Sequence, residues 1–285
     1  MDKTENLKHW ENWSENFGTS LKATTKSSDI KRIEINTIVK YLQSSLSNHS
    51  NSKDAFKVLE VGCGNGYNLS GVRAIFPEIS LEGVDYSPKM IENAKKLWHE
   101  NNKGLKFKGI SFYNADATVL EVCEDLSSDY DFIFTDRCLI NLLEDGQVEA
   151  CIKSIFSKLK PGGIALFIEN FVETRELQND IRVLTGLPRR DYPEFNKFLI
   201  KRKFVDVVTK FSEVKDFMSI SSLHDFILYV ITPLLNDGSV DYDSELMKPI
   251  TDLILNSPEK LGSEISINHD MGQNCVLVAE KFKFV

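Results

Sequence analysis

The feature that most constrains this chain is a short apolar run that ends in spaced glycines, Val58-Leu59-Glu60-Val61-Gly62-Cys63-Gly64-Asn65-Gly66. Glycines at alternate positions let a buried strand turn into a helix while its backbone stays open to a ligand. A side chain at Gly62 or Gly64 would occupy the space that ligand needs. Glu60, two residues before the first glycine, can accept a hydrogen bond from an ammonium group, directly or through water. The dinucleotide fingerprint Gly-x-Gly-x-x-Gly is not met: the third glycine comes one residue early, and Tyr67 fills the slot.

The chain continues as an alternation. Ala55 to Val61, Ser80 to Val84, Leu105 to Asn114, Tyr130 to Thr135 and Ile164 to Phe171 read as strands. Asp29 to Leu46, Asn65 to Phe76, a segment capped by Ser87 with Pro88 at its first position, Glu144 to Lys160 and Val172 to Thr185 read as helices. Phe198 to Phe211 and Asn274 to Phe284 read as two further strands without a comparable helix between them, so one of them is expected to run antiparallel. The expected fold is α/β and Rossmann-like, a mostly parallel seven-stranded sheet with helices on both faces. An N-terminal helical cap takes residues 1–54, the sheet domain takes 55–214 and 268–285, and an insertion takes 215–267. The insertion is the candidate substrate lid. Its apolar run Phe226 to Leu235 reads as core or dimer contact, so a homodimer is compatible with it.

Open sheets of this kind bind ligands beyond the carboxyl ends of their strands. Asp85 stands there, 19 residues after Gly66, and can accept hydrogen bonds from both hydroxyls of a ribose. Tyr86 follows it, and Met90, one turn into the next helix, can lie against an adenine ring. Asp116, followed by Ala117, can accept from an exocyclic amine. With Glu60, Gly62, Cys63, Gly64, Gly66 and Thr135, these residues describe a receptor for an adenosine with an attached cation.

The stretch resembles the class I S-adenosylmethionine-dependent methyltransferases. Val58 to Gly66 matches their glycine-rich first motif. Asp85, Asp116-Ala117, Tyr130 to Thr135 and Leu159-Lys160-Pro161-Gly162-Gly163 match the later ones in order and spacing, over roughly residues 55 to 171. The resemblance implies S-adenosyl-L-methionine as cofactor, with Glu60 and the glycine loop at its methionine end, Asp85 at the ribose, and Asp116, Ala117 and Met90 at the adenine. A looser similarity, to methyltransferases of carbohydrate and other small-metabolite pathways, implies a small-molecule acceptor, a sugar or glycan-related one among them. No carboxylate or histidine cluster suggests a metal.

For acceptor and catalysis, Asp136 and Arg137 follow the fourth strand, where the methyl group should face its acceptor; a structural salt bridge is the competing reading. The sequence there is Thr-Asp-Arg, unlike the Asn/Asp-Pro-Pro-Tyr motif of amino methylation on bases and amides. Thr19, Lys22 and Thr25 lie in a hydroxyl- and lysine-rich stretch after Trp10 and Trp13, read as a loop that folds over the cofactor or as a packing segment. His224 and His269 join Asp136 as candidate general bases, although a lone histidine is more often structural.

The formal net charge of -8 and pI of about 5.3 argue against a broad nucleic-acid-binding face. The longest apolar stretch is broken by Thr232 and Pro233, which argues against membrane insertion. Five cysteines with no Cys-x-x-Cys, and no signal-peptide pattern, lead to a cytoplasmic expectation. A nicotinamide-dependent oxidoreductase is disfavoured by the glycine spacing and by the lack of Tyr-x-x-x-Lys. A non-catalytic S-adenosylmethionine-binding protein is the other rival.

Overall fold

A computed structural model describes residues 3–48, 55–101, 109–144, 146–256 and 270–283. In chain order the elements are α1 (Lys3–Phe17), α2 (Ser28–Asn48), β1 (Lys57–Val61), α3 (Tyr67–Ile75), β2 (Ser80–Asp85), α4 (Pro88–Asn101), β3 (Ile110–Asn114), β4 (Tyr130–Asp136), α5 (Gln147–Lys158), β5 (Leu159–Asn170), α6 (Val172–Leu184), α7 (Lys201–Val208), β6 (Ser212–Ser219), α8 (Ser222–Phe226), α9 (Thr232–Leu235), α10 (Met247–Asn256) and β7 (Asn274–Lys281). A π-helical turn, Ile227–Ile231, joins α8 to α9.

The seven strands form one sheet in the order β3-β2-β1-β4-β5-β7-β6. β1 pairs in parallel with β2 and β4, and β7 alone runs antiparallel, between β5 and β6. The central strands are apolar because helices cover both faces. Alternate residues feed two cores: Leu59, Val61, Ile133 and Phe167 meet Ile152, Ile155 and Phe156 of α5, while Val58, Phe132, Phe134 and Leu166 meet Ile38, Leu42, Leu69 and Val72 of α2 and α3. Strand order reverses between β1 and β4, so the loops after these two strands border the crevice of the sheet.

Two expectations need correction. Phe198 to Phe211 is not a strand: Phe204 and Val208, four residues apart, are the buried stripe of helix α7, and Phe204 packs edge-on against Phe167 and Phe171. The sixth strand lies further on, at Ser212–Ser219, so the sheet extends into the segment read as an insertion. The stretch around Trp10 and Trp13 is the helix α1, not a loop, with His9 stacked between Trp13 and Phe195. The first part of the expected third strand and part of 215–267 fall outside the described residues.

Gly62 takes φ +76, and a Cβ there would stand 2.4 Å from Cys138 Sγ, so the β1 turn and the β4 loop touch through the missing side chain. Gly146 has φ +82 but open space around it. Left-handed strain of about 1–2 kcal/mol applies to both, and overpacking of about 1–3 kcal/mol applies only at Gly62. Gly62→Ala is therefore expected to lower unfolding free energy by about 2–5 kcal/mol and Gly146→Ala by no more than about 2, as read from urea titrations; equal losses would refute the contact.

Candidate functional site

The carboxyl ends of β1 to β4 open into one cavity of ≈ 360 Å³. Glu60, Gly62, Cys63, Gly64, Asp85, Tyr86, Met90, Asp116 and Ala117 line one part of it, and Thr25, Asp136, Arg137 and His224 also line it. Gly66 does not line it: at φ +77 its missing Cβ leaves room for the Phe112 ring and Ala94. Thr135 is turned into the core, where its hydroxyl donates to Glu169 Oε1 at 2.8 Å. Thr19 and Lys22 are not in the cavity wall; the Lys22 carbonyl accepts from Trp13 Nε1 at 3.0 Å. His269 lies outside the described residues.

Asp85 is fixed by the turn it serves. Its Oδ2 accepts from Gly64 N at 2.9 Å and its Oδ1 from Ser87 N at 2.9 Å. Burial pushes its carboxyl up, and the two backbone N–H groups hold the rise in check. Asp116 caps the turn that follows β3, accepting from Thr118 N at 2.9 Å. Asn65, inside the glycine loop, donates to the carbonyls of Gly18 and Ser20, which ties the segment after α1 across the loop. Thr24 then fills the space beside Gly64, 2.9 Å from where a Cβ would stand.

Part of this wall is a buried polar network, of which the sequence suggested only a salt bridge at Asp136 and Arg137. Lys31 Nζ sits 2.7 Å from Glu34 Oε2 and 2.5 Å from Asp136 Oδ2. Arg137 Nε pairs with Glu34 Oε1 at 3.1 Å, and Asn274 Nδ2 donates to the same oxygen at 2.7 Å. Asn68 Nδ2 donates to Glu60 Oε1 at 2.7 Å and to Asp136 Oδ2 at 2.9 Å. Glu60 Oε2 is buried without a hydrogen-bond partner. Burial is the main reason its carboxyl titrates well above the ordinary range, against the Asn68 hydrogen bond. Burial would also raise Asp136, but the Lys31 ammonium and the Arg137 guanidinium outweigh it and bring its pKa to about 2. A carboxylate so held is a weak base.

His224 is buried, and Asp225 Oδ1 lies 2.8 Å from its Nδ1. Asp225 Oδ2 accepts from Ser221 Oγ at 3.0 Å and from Gln273 N at 2.6 Å. An ionised carboxylate only accepts, so the neutral tautomer that suits this contact has its proton on Nδ1 and a lone pair on Nε2. Nε2 is buried and has no partner. That arrangement suits a general base in a cavity wall. Among the described residues no group of three or more His, Cys, Asp or Glu side chains is placed to hold a metal ion, and no helix is long and apolar enough to cross a membrane.

Glu169 was also missed. Its carboxylate accepts from Thr135 Oγ1, from Cys138 N at 3.1 Å and from Leu139 N at 3.0 Å, and so shapes the loop after β4. Burial lifts its pKa from 4.5 to about 7, despite these hydrogen bonds. The folded state therefore holds this proton more tightly than the unfolded chain, and its stabilising effect, complete below about 4.5, is lost as pH rises to about 7. About 3–4 kcal/mol is the upper bound. The drop in unfolding free energy between pH 4.5 and 7 is expected to be smaller in Glu169→Gln than in the parent; identical pH profiles would count against it.

Residues 52–188 match the family described as "Methyltransferase domain". A carboxy-S-adenosyl-L-methionine synthase of Campylobacter fetus subsp. fetus is 30% identical over 131 residues, 44% of this chain and 49% of the relative. A malonyl-[acyl-carrier protein] O-methyltransferase of Bacillus anthracis is 29% identical over 126 residues, 44% of this chain and 42% of the relative. The chain thus matches about half the length of these curated relatives. Among solved structures, the N-methyltransferase NodS from Bradyrhizobium japonicum, in complex with S-adenosyl-L-homocysteine, superposes with a TM-score of 0.52 at 14% identity, covering 97% of this chain and 98% of its own. The [4+2]-cyclase SpnF also reaches 0.52, at 19% identity, covering 87% of this chain and 81% of its own. The shared architecture shows the fold, and a cyclase among its holders means that the reaction has to be argued from the site.

Proposed function

We propose that the chain, whose residues 52–188 match the family described as "Methyltransferase domain", is a class I S-adenosylmethionine-dependent methyltransferase that transfers a methyl group from S-adenosyl-L-methionine to an oxygen or nitrogen of a small metabolite. The observation that carries this reading is the unpartnered, buried Glu60 Oε2 beside the glycine loop, in one cavity with Asp85 and Asp116. An ammonium group there would satisfy an oxygen that the protein leaves bare. Glu60 and the glycine loop would hold the amino-acid end of the cofactor, Asp85 the ribose, and Asp116, Ala117 and Met90 the adenine. When bound, the cofactor supplies a methyl group on a positively charged sulfur, which is already electrophilic.

The protein's own part is alignment, desolvation and proton handling. Alignment contributes roughly 7–11 kcal/mol in favourable cases. An amine acceptor needs only to arrive neutral. For a hydroxyl acceptor, His224 Nε2 takes the proton while Asp225 holds the ring in the right tautomer and stabilises the imidazolium that forms. Asp136 is poorly suited to that task, since the Lys31 ammonium and the Arg137 guanidinium make its carboxylate weakly basic. Its role in this reading is to hold Lys31 and Asn68 in place. The cavity sets rings of Trp10, Phe195 and Tyr229 beside the amides of Asn141, Asn196 and Gln273, a pairing that favours a hydroxylated acceptor such as a sugar. The five cysteines are all free, which suits work in the reducing cytoplasm.

Two measurements test the reading. Asp85→Ala is expected to weaken S-adenosylhomocysteine binding by about 1.5–3 kcal/mol in calorimetry, the worth of charge-assisted hydrogen bonds; unchanged affinity would remove Asp85 from the cofactor site. Once a screen of nucleotide sugars, glycans and amino-acid metabolites yields a hydroxyl acceptor, His224→Asn is expected to lower kcat by about 10²–10⁴ with little change in KM. A loss below about tenfold would show that His224 is not the base.

A further inference from the structure

Away from the glycine loop, Arg190 lines the cavity and Arg175 and Arg182 lie outside its wall, and none of the three has a carboxylate partner among the described residues. Helix α6 buries a polar face, with Thr174, Arg175, Gln178, Asn179 and Arg182 all turned inward. Arg175 Nη1 donates to Gln273 Oε1 at 3.0 Å, and its Nε is buried without a partner. Arg182 Nε donates to the Pro188 carbonyl at 2.9 Å and its Nη1 to that of Tyr229. Arg190 Nη1 donates to Gln178 Oε1 at 2.6 Å, and its guanidinium carbon stands 3.4 Å from the centroid of the Tyr229 ring. Among the described residues no carboxylate forms an ion pair with any of these three arginines.

Gathering such charges is unfavourable unless something offsets it. Burial, and then the like charge of Arg190, lower the Arg175 guanidinium to about 10. Asp225, a carboxylate that lines the cavity, is already engaged by His224, Ser221 and Gln273 N. Neutral partners hold the arginines in position without cancelling them. Arg190, Gln273, Tyr229 and His224 all line the same cavity as the glycine loop.

We propose that this end of the cavity binds an anionic oxygen group, carboxylate or phosphate, carried by the methyl acceptor, with Arg190 as its anchor. The inference rests on the methyl-transfer reading and narrows its substrate class to acidic metabolites. A guanidinium offers paired N–H donors that match two oxygens of one anion, and stacking on Tyr229 holds its plane. Arg175, behind it, adds positive potential without entering the cavity wall. Lys26, which lines the cavity with its Nζ 5.9 Å from the Tyr242 ring centroid, adds more. An acceptor fixed by its acidic group at Arg190 would offer a separate hydroxyl or amine to His224.

The test is calorimetry on the full chain saturated with S-adenosylhomocysteine and titrated with malonate, with inorganic phosphate and with neutral malonamide. Malonate or phosphate is expected to bind and malonamide is not. Arg190→Gln is expected to weaken the anion at least tenfold. Arg190→Lys, which keeps the charge but not the fork, is expected to fall between, and it keeps the comparison usable if Arg190→Gln does not fold. Binding of malonate alone assigns a carboxylate, and binding of phosphate alone a phosphoryl group. If S-adenosylhomocysteine itself fails to bind the parent, the methyl-transfer reading falls. If it binds and neither anion does, or if both variants bind the anion as the parent does, the anionic-acceptor inference falls and that reading stands.

Discussion

An ammonium group enclosed between two carboxylates, Lys31 against Glu34 and Asp136, is the contact on which the cavity depends. Apolar burial brings α2 onto the sheet, but it is non-directional and would tolerate a slide. The ion pair is directional and out of water, so it sets where the tip of β4 stands relative to α2. Asn68 extends the tie to Glu60 at the end of β1, and Asn274 extends it to β7. Removing one member of such a set leaves a buried charge without its partner, which costs about 3–5 kcal/mol. The network thus ties the polar wall of the cavity to α2, α3 and β7.

The strand tips were readable in the sequence because each is local: a short strand with apolar residues, then a glycine or an acid. Glu60, Gly62, Gly64, Asp85 and Asp116 line the cavity on that basis. Gly66 and Thr135 carried the same pattern and face elsewhere, since a motif does not tell which way a side chain turns. The run from Phe198 to Phe211 misled because strands and buried helices both use clustered apolar residues; only the four-residue step from Phe204 to Val208 separates them, and the lysines around it mark the exposed side. Lys31 and Glu34 fall in phase with Ile38 and Leu42 on the buried stripe of α2, a signal present in the sequence and passed over. Arg190 had no local signal, because its partners Gln178 and Tyr229 lie on other elements.

The two ends of the cavity are built differently. Toward β1, β2 and β3, short turns at strand ends present backbone and carboxylates, and positive φ angles bring main chain close to the cavity. Toward α6, α8 and the start of β7, long side chains from distant segments converge and are fixed by amides and rings. The first design suits a moiety common to many proteins of this fold. The second is free to change with the molecule it meets, because helices and connecting segments tolerate substitution better than the central sheet.

β7 lies between β5 and β6 yet follows both in the chain. During synthesis the other six strands leave the ribosome first. Until β7 arrives, the free side of β5 and the whole of β6 present unpaired backbone groups, and Glu34 lacks its amide from Asn274. The nascent protein thus passes through an interval with open sheet edges, in which self-association competes with completion and chaperones have something to hold. A fold that inserts its last strand between two earlier ones leaves the joining of β6 to the sheet until that strand is made.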